Sequence, residues 1–266
     1  MNILYITFIA VIQGLTEFLP ISSSGHLLLM PVLTGQPDQG SAFDVALHLG
    51  TLVAVVGYFW KDLWKIAKAW FTQAFSSKQS FDAKMGWYLI AATIPAIIVG
   101  GLLGDWMDVH LRDPRIVAYT SILFGILLGA ADYLGRKVRS IPQITLSNPI
   151  LIGCAQALAL VPGTSRSGIT MTAGLLLGFT RDAAARFAFL MSVPVILMAG
   201  VFKMYQAFFT SSQVIDGWSF AYGAGVSAVV GIVTIHVFLR FITKIGMLPF
   251  VIYRVFLGLA ILVMLT

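Results

Sequence analysis

The sequence predicts an all-α integral membrane protein with six full spans and two re-entrant helical hairpins, arranged as an inverted-topology repeat. Of its 266 residues, 58% are hydrophobic and 11% are charged, and the mean hydropathy is +0.90, whereas a soluble domain carries roughly 25% charged residues. Apolar runs of about 20 residues, the length that crosses a bilayer as a helix, recur along the whole chain. Two further apolar runs are broken midway by proline, glycine and serine.

Uninterrupted apolar runs give the six full spans. They lie at about 43–60, 86–104, 116–134, 184–209, 218–239 and 249–266. The runs at about 3–34 and 148–178 are instead interrupted by FLPISSSGH and VPGTSRSG. Backbone groups that such breaks set free need partners from protein or water. We therefore expect both runs to be re-entrant hairpins buried among the spans.

The two broken runs form an internal repeat. Five residues of the first recur at a constant offset in the second, where Gln13, Leu15, Ser22, Ser24 and Gly25 match Gln156, Leu158, Ser165, Ser167 and Gly168. The repeat divides a single polytopic domain, residues 1–266, into halves at about 1–145 and 146–266. Each half holds one hairpin and three spans, so the second half is inverted and the two broken tips should meet near the midplane.

Basic residues set the expected orientation. The formal net charge is +6, but the cations lie in short loops rather than in one patch, which argues against a nucleic-acid partner. The loops of one side keep only Arg112 and Arg115, and the cations of the other loops cluster near 61–85, 135–147, 179–186 and 240–248. We expect the basic side to be cytoplasmic, with Trp60 and Trp64 on a short interfacial helix after the first span.

The first break carries a carboxylate and an imidazole. An ionised Glu17 at membrane depth costs a few kcal/mol unless it is paired or bound to a cation, and Gln13, one turn earlier, can supply a second oxygen to a divalent ion. The serines at Ser22 to Ser24 either cap the following helix or bind an anion together with its free amides. His26 can act as base, acid or nucleophile near Glu17.

The second break places a guanidinium in an apolar run. Arg166 needs an anion there, and its planar fork suits a phosphate. The remaining phosphate oxygens can be bound by hydroxyls and amides of the same break, at Gly163, Ser165, Ser167 and Thr170. The alternative is a buried ion pair between Glu17 and Arg166 that only ties the two repeats together. We interpret the remaining polar residues of the runs as structural: His48, His110, His236, Asp44 and Arg254.

Both breaks resemble the signatures of the bacitracin-resistance type of undecaprenyl-diphosphate phosphatase. That family has an (E/Q)-x-x-x-E helix followed by P-x-S-S-x-G-H, and a P-G-x-S-R-S-x-x-T segment, which are here QGLTEFLPISSSGH and PGTSRSGIT. The resemblance covers nearly the whole chain in length, number of spans and placement of both motifs. Many members have a second glutamate where this chain has Gln13, which leaves a less anionic metal site.

The resemblance implies an enzyme of the bacterial plasma (inner) membrane. The expected reaction hydrolyses undecaprenyl diphosphate to undecaprenyl phosphate and inorganic phosphate at a site facing the periplasmic or extracellular side, while the prenyl tail stays among membrane lipids. It would recycle the carrier lipid for cell-envelope synthesis and confer resistance to bacitracin, which competes for the same diphosphate. Whether the chain forms a homodimer is left open.

By position, the resemblance also assigns roles to residues. Glu17 and Gln13 would hold a divalent cation, Mg²⁺ or Ca²⁺, and Arg166 would bind phosphate. Ser23 and His26 would lie at the phosphorus, and attack by Ser23 with His26 assisting the proton transfer is preferred, although direct attack by His26 stays open.

Inverted repeats with broken helices are also typical of transporters, so a secondary transporter or flippase for a lipid-linked phosphate is the alternative function. The unequal chemistry of the two breaks favours bond cleavage, because Glu17 and His26 lie in one break and Arg166 in the other. The sequence contains no G-x-x-x-x-G-K-[ST], G-x-G-x-x-G or H-E-x-x-H pattern, which argues against ATP-driven transport, dinucleotide chemistry and zinc proteolysis.

Overall fold

The protein is described by a computed structural model at residues 2–37, 40–111, 113–210 and 217–265. Arg112, one of the two cations predicted on the less basic side, lies outside these residues. The first half contains helices α1 to α6, which are Ile3–Thr16, Ser23–Thr34, Ser41–Tyr58, Trp60–Gln73, Phe81–His110 and Pro114–Leu134. The second half contains helices α7 to α11, which are Ser147–Ala157, Arg166–Leu176, Arg181–Thr210, Gly217–Ile245 and Leu248–Met264.

Four helical segments are long and apolar enough to cross a membrane, and they coincide with four of the six predicted spans. They are Phe81–Gly104, Pro114–Leu134, Arg181–Phe202 and Gly217–Ile245. The first predicted span corresponds to α3, which together with α4 makes a fifth candidate bent by 81°. The last corresponds to α11, whose 17 residues are fewer than the roughly 20 of an average crossing. By length and composition, the described residues therefore contain four or five candidate spans, and six are not reached.

The helix expected after the first span is present as α4. It turns away from α3 at Phe59, a buried residue that serves as the C-cap of α3. Ile66 of α4 is buried, whereas Trp60 and Trp64 on the same helix are exposed. This amphipathic pattern is typical of a helix that lies along a membrane surface.

Each broken run forms two short helices, and the first helix of each run packs mainly against a long helix of the opposite half. Helix α1 packs against α2 and α10, and α7 packs against α8 and α5. Small residues allow these close contacts. A Cβ atom on Gly14 would lie 2.7 Å from Cβ of Val230, and one on Gly153 would lie 2.4 Å from the carbonyl oxygen of Ala92. Helices α1 and α7 therefore pack closely against a long helix, with no room for a side chain at Gly14 or Gly153.

A polar contact ties three helix ends together at the basic end of the molecule. The carboxylate of Asp132, near the end of α6, accepts from Nε and Nη2 of Arg181 at 2.6 and 2.9 Å. The same carboxylate accepts from the backbone N–H of Met247, in the turn between α10 and α11, at 3.1 Å. Charged hydrogen bonds of this kind contribute more than neutral ones, so this contact fixes α6, α9 and α11 relative to one another.

Candidate active site

The first tip, residues 17–26, joins α1 to α2 and contains a serine with an unusual backbone. Helix α1 ends at Thr16 and α2 begins at Ser23, and Ser22 between them has a φ angle of 73°. A positive φ is uncommon for a residue with a side chain and marks a constrained backbone. The Ser22 hydroxyl accepts from the N–H of Gly25 at 3.3 Å, so it caps α2.

The second tip, residues 161–170, repeats this geometry at the equivalent position. Ser165 has a φ angle of 71° and caps α8 by accepting from the N–H of Gly168 at 3.1 Å. Gly163 has a φ angle of 86°, and a Cβ atom there would lie 2.1 Å from Oγ1 of Thr120, so the site requires glycine. The capping function considered for the serines of the first tip is therefore performed by Ser22, and Ser165 performs the same function in the second tip.

Glu17 joins the two tips. Its residue surface is 6% exposed, and its Oε1 accepts from Nη2 of Arg166 at 2.5 Å. Its Oε2 accepts from Oγ of Ser23 at 2.5 Å and from Nε2 of Gln13 at 3.0 Å. Nε2 of His48 lies 3.5 Å from the same Oε2. One carboxylate thus contacts side chains from four helices, which are α1, α2, α3 and α8.

Arg166 is the first residue of α8, and its guanidinium contacts the carboxylate of Glu17. Its Nη1 also donates to the carbonyl oxygen of Ser192 at 3.4 Å. The ion pair with Glu17, considered above as an alternative to phosphate binding, is present. A guanidinium has five N–H donors, so these two contacts leave donors for a further acceptor. The ion pair and a phosphate site are therefore compatible.

His26 lies on α2, and both of its ring nitrogens contact polar oxygens. Nδ1 is 2.6 Å from the carbonyl oxygen of Ser22, and Nε2 is 2.6 Å from the hydroxyl of Tyr253. The described partner of the Ser23 hydroxyl is Glu17. The structure therefore places a carboxylate, rather than this imidazole, against the candidate nucleophile.

The remaining predicted phosphate ligands lie around this centre, and most of their hydroxyls contact the tips themselves. Ser167 Oγ donates to the carbonyl oxygen of Leu19 at 2.9 Å, which connects the two tips directly. Thr170 Oγ1 donates to the carbonyl oxygen of Arg166 at 2.8 Å. Ser24 is exposed, with its Oγ 3.4 Å from that of Ser22. These contacts give Ser167 and Thr170 a structural function that the sequence analysis had not considered.

Arg254 on α11 also joins the tips. It is fully buried, and its guanidinium donates to the carbonyl oxygen of Pro20 at 3.2 Å and to that of Gly163 at 2.8 Å. Its Nε donates to the carbonyl oxygen of Ser121 on α6 at 3.2 Å. Arg254, interpreted as structural from the sequence, thus pairs with backbone carbonyls of both tips.

Three residues of the site were missed or assigned only to structure by the sequence analysis: His48, Tyr253 and Arg254. The sequence contained a signal for His48 and Arg254, because each is a polar group in an apolar run and so at membrane depth. Nδ1 of His48 in fact contacts the carbonyl oxygen of Asp44 at 2.7 Å, which directs its Nε2 toward Glu17. No local signal pointed to Tyr253.

The side-chain oxygens of Glu17 and Gln13 are of the kind that binds a hard divalent cation. The part of the chain that the structure describes contains no group of three or more His, Cys, Asp or Glu side chains placed to hold a metal. However, Oε1 of Gln13 is buried without a hydrogen-bond partner, an arrangement that is costly unless a ligand satisfies the atom. Amide and carboxylate oxygens are the ligands that Mg²⁺ and Ca²⁺ prefer, and a phosphate can complete the coordination.

Comparisons with known proteins identify a family and several relatives that match nearly the whole chain. The family described as bacitracin resistance protein BacA matches residues 6–260. A protein of Alteromonas mediterranea named undecaprenyl-diphosphatase is 50% identical over 262 residues, which are 98% of each chain. Proteins with the same name from Teredinibacter turnerae and Hahella chejuensis are 48% and 50% identical and cover 99% of this chain. The similarity therefore extends over both hairpins and all the long helices.

Proposed function

This chain belongs to the bacitracin resistance protein BacA family, and on that premise we propose that it hydrolyses undecaprenyl diphosphate to undecaprenyl phosphate and inorganic phosphate. It is a membrane-embedded phosphatase. The product is the carrier lipid in the form that cell-envelope synthesis uses again. Removal of the diphosphate also removes the molecule that bacitracin binds, which accounts for resistance.

The observation that carries this proposal is the shared carboxylate of Glu17. One of its oxygens accepts from Ser23 and the other from Arg166, both at 2.5 Å. Phosphoryl transfer requires a positioned nucleophile, a proton acceptor and positive charge at the non-bridging oxygens. The two tips bring these three groups into direct contact.

We assign the nucleophile to Ser23 and the proton acceptor to Glu17. As Ser23 Oγ bonds to the terminal phosphorus, its proton passes to Glu17, and the bond from that phosphorus to the bridging oxygen breaks. The bridging oxygen leaves with undecaprenyl phosphate and takes the proton from Glu17. Water then attacks the phosphoserine, Glu17 accepts the proton of the water, and Ser23 Oγ regains it as inorganic phosphate leaves.

Arg166 binds the terminal phosphate in this scheme. Its guanidinium keeps N–H donors beyond those used by Glu17 and Ser192, and its planar geometry suits two phosphate oxygens at once. Because Arg166 follows the Ser165 cap, free amides at the start of α8 also face the tip. The second tip thus serves as the anion-binding half of the site.

Gln13 and Glu17 would hold a divalent cation, Mg²⁺ or Ca²⁺. When bound, such a cation neutralises charge on the diphosphate oxygens as a Lewis acid. Since Arg166 already balances the single charge of Glu17, we expect the cation to bind well only together with the negatively charged diphosphate.

We further propose that the chain crosses the bacterial inner membrane as six spans and two re-entrant hairpins related by an inverted repeat. The equivalent backbone angles of Ser22 and Ser165 and the packing of each hairpin against the opposite half support this arrangement. The clustering of basic loops supports a cytoplasmic location for that end. The site would then open toward the periplasmic side, with α4 along the cytoplasmic surface.

The test is phosphate release from undecaprenyl diphosphate by the purified protein in detergent, with Mg²⁺, with Ca²⁺ and with a chelator. We expect release that depends on the cation and is lost in Ser23→Ala. Absence of release under every metal condition would contradict the proposal and favour the transporter. Normal release by Arg166→Ala at saturating lipid would contradict the function assigned to that residue.

A further inference from the structure

Tyr253 belongs to neither motif, yet its hydroxyl contacts the imidazole of the first tip. The hydroxyl oxygen lies 2.6 Å from Nε2 of His26, 227 residues away in the chain. The two ring planes are nearly parallel, inclined by 8° with centroids 5.7 Å apart, as an edge-to-edge hydrogen bond requires. His26 is buried and Tyr253 is 40% exposed, so the tyrosine covers the side of the imidazole that faces away from the tip backbone.

The hydrogen-bond pattern determines which nitrogen of His26 carries the proton. Nδ1 lies 2.6 Å from the carbonyl oxygen of Ser22, and a carbonyl can only accept, so Nδ1 must be the N–H donor. In the neutral ring Nε2 is then an acceptor, and the hydroxyl of Tyr253 is placed to donate to it. Both ring nitrogens of neutral His26 are thereby engaged.

We propose that Tyr253 is a positioning residue that fixes His26 as the Nδ1–H tautomer and occupies its Nε2 lone pair. The significance of this arrangement for catalysis rests on the proposed function. An imidazole without an available lone pair cannot attack phosphorus, whereas Ser23 is already bonded to its proton acceptor. The contact with Tyr253 therefore assigns attack to Ser23 and restricts His26 to orienting the tip or exchanging protons through the phenol.

Helix α11 supports this positioning at two successive residues. Arg254, next to Tyr253, donates to the carbonyl oxygen of Pro20 in the same tip. The ring of His26 and the backbone before Ser22 are thus held by one helix. Loss of the Tyr253 hydroxyl alone should leave the backbone in place, since Arg254 keeps its contacts, and should change only the environment of the imidazole.

The first experiment reads the tautomer by NMR in the absence of substrate. The protein contains four histidines, so ¹⁵N-histidine labelling in detergent gives few signals, and His26→Gln identifies the one of interest. We expect a neutral Nδ1–H tautomer in the unmodified protein and a mixture of tautomers in Tyr253→Phe. The matched control Tyr133→Phe, at an exposed tyrosine of α6, should change nothing. An Nε2–H tautomer in the unmodified protein, or no change in Tyr253→Phe, would overturn the proposal.

The second experiment connects the tautomer to turnover. Tyr253→Phe keeps the aromatic ring and removes only the hydroxyl, so we expect kcat to fall about fivefold to tenfold, as for loss of one hydrogen bond, with KM within about twofold. In His26→Gln the added Tyr253→Phe change should cause no further loss, because the two residues act as a unit. Independent, multiplicative losses would overturn the proposal. If the unmodified protein releases no phosphate, the proposed function fails, whereas the NMR result stands separately.

Discussion

Ser23 Oγ lies 2.5 Å from Oε2 of Glu17, six residues earlier in the chain. The contact forms because the break between α1 and α2 turns the chain back at the tip, so that the end of one helix meets the start of the next. A hydroxyl and a carboxylate at this distance form a nucleophile–base pair that needs no third residue to relay the proton.

Replacing Ser23 with alanine should abolish turnover. We expect Ser23→Ala to lower kcat on the order of a thousandfold or more, as removal of a nucleophile does in other hydrolases, and Ser76→Ala, at an exposed loop serine, to have no effect. Rapid quenching with terminally labelled diphosphate should trap an acid-stable phosphoserine at residue 23. An acid-labile phosphohistidine at residue 26 would reject Ser23 as the nucleophile.

The Glu17–Arg166 pair can be tested for chemistry apart from structure. Glu17→Gln or Arg166→Gln alone should lower both thermal stability and activity, since each leaves a buried charge without its partner. The double variant should recover much of the stability, because no unpaired charge remains, but none of the phosphate release. Recovery of both in a thermal-unfolding and activity comparison would mean that the pair only ties the repeats together.

A second carboxylate at position 13 should strengthen cation binding. In Gln13→Glu the new charge would face Glu17 across the 3.0 Å contact now made by the amide, so a cation would relieve their repulsion. We expect a several-fold lower Mg²⁺ or Ca²⁺ concentration at half-maximal activity, and a melting temperature that rises with added cation. Gln13→Ala should shift the cation requirement upward, and an unchanged requirement in both variants would place the cation elsewhere.

The second tip should not tolerate a side chain at Gly163. Alanine there would combine a φ angle of 86° with a Cβ atom 2.1 Å from Oγ1 of Thr120, so we expect a loss of at least about 2 kcal/mol in stability and a displaced Arg166. Gly101→Ala, on an open face of α5, should be neutral or stabilising by about 0.5–1 kcal/mol. Thermal unfolding and phosphate release of the two variants decide; equal behaviour would contradict the tip geometry.

The polar contact at the basic end should affect stability without affecting chemistry. Asp132→Asn weakens the bonds to Arg181 and Met247, and we expect a loss of about 1–3 kcal/mol in the free energy of unfolding. The kcat of the folded fraction should stay within about twofold. A large fall in kcat at unchanged stability would show that this end of the molecule communicates with the site.

The sequence predicted the elements that arise from local pattern. Runs of apolar residues located the long helices, and proline, glycine and serine located both breaks, because a lipid-facing helix cannot carry such residues without partners. The constant offset between the breaks gave the relation between Ser22 and Ser165, and the need of Glu17 for a partner gave its relation to Arg166. The bend of 81° after α3 was anticipated only as a change to an interfacial helix.

The contacts that the sequence did not predict come from distant helices. His48 reaches Glu17 from α3, and Tyr253 and Arg254 reach the tips from α11, 227 and 234 residues from their partners in the first tip. Such contacts depend on how helices pack and rotate, which spacing along one helix does not determine. Ser167 illustrates the same limit, because the sequence alone does not distinguish its contact with the carbonyl oxygen of Leu19 from a contact with a ligand.

The carbonyl contacts of Arg254 also bear on the order in which the protein becomes functional during synthesis. Pro20 and Gly163 are made long before Arg254, which follows them by 234 and 91 residues. Until the final helix has been inserted, the guanidinium of Arg254 is not available to these two carbonyls, and the tips have the contacts of Glu17 and Ser167 without this further one. A C-terminally truncated chain would thus have both motifs and still lack the anchor that Arg254 provides for the two tips.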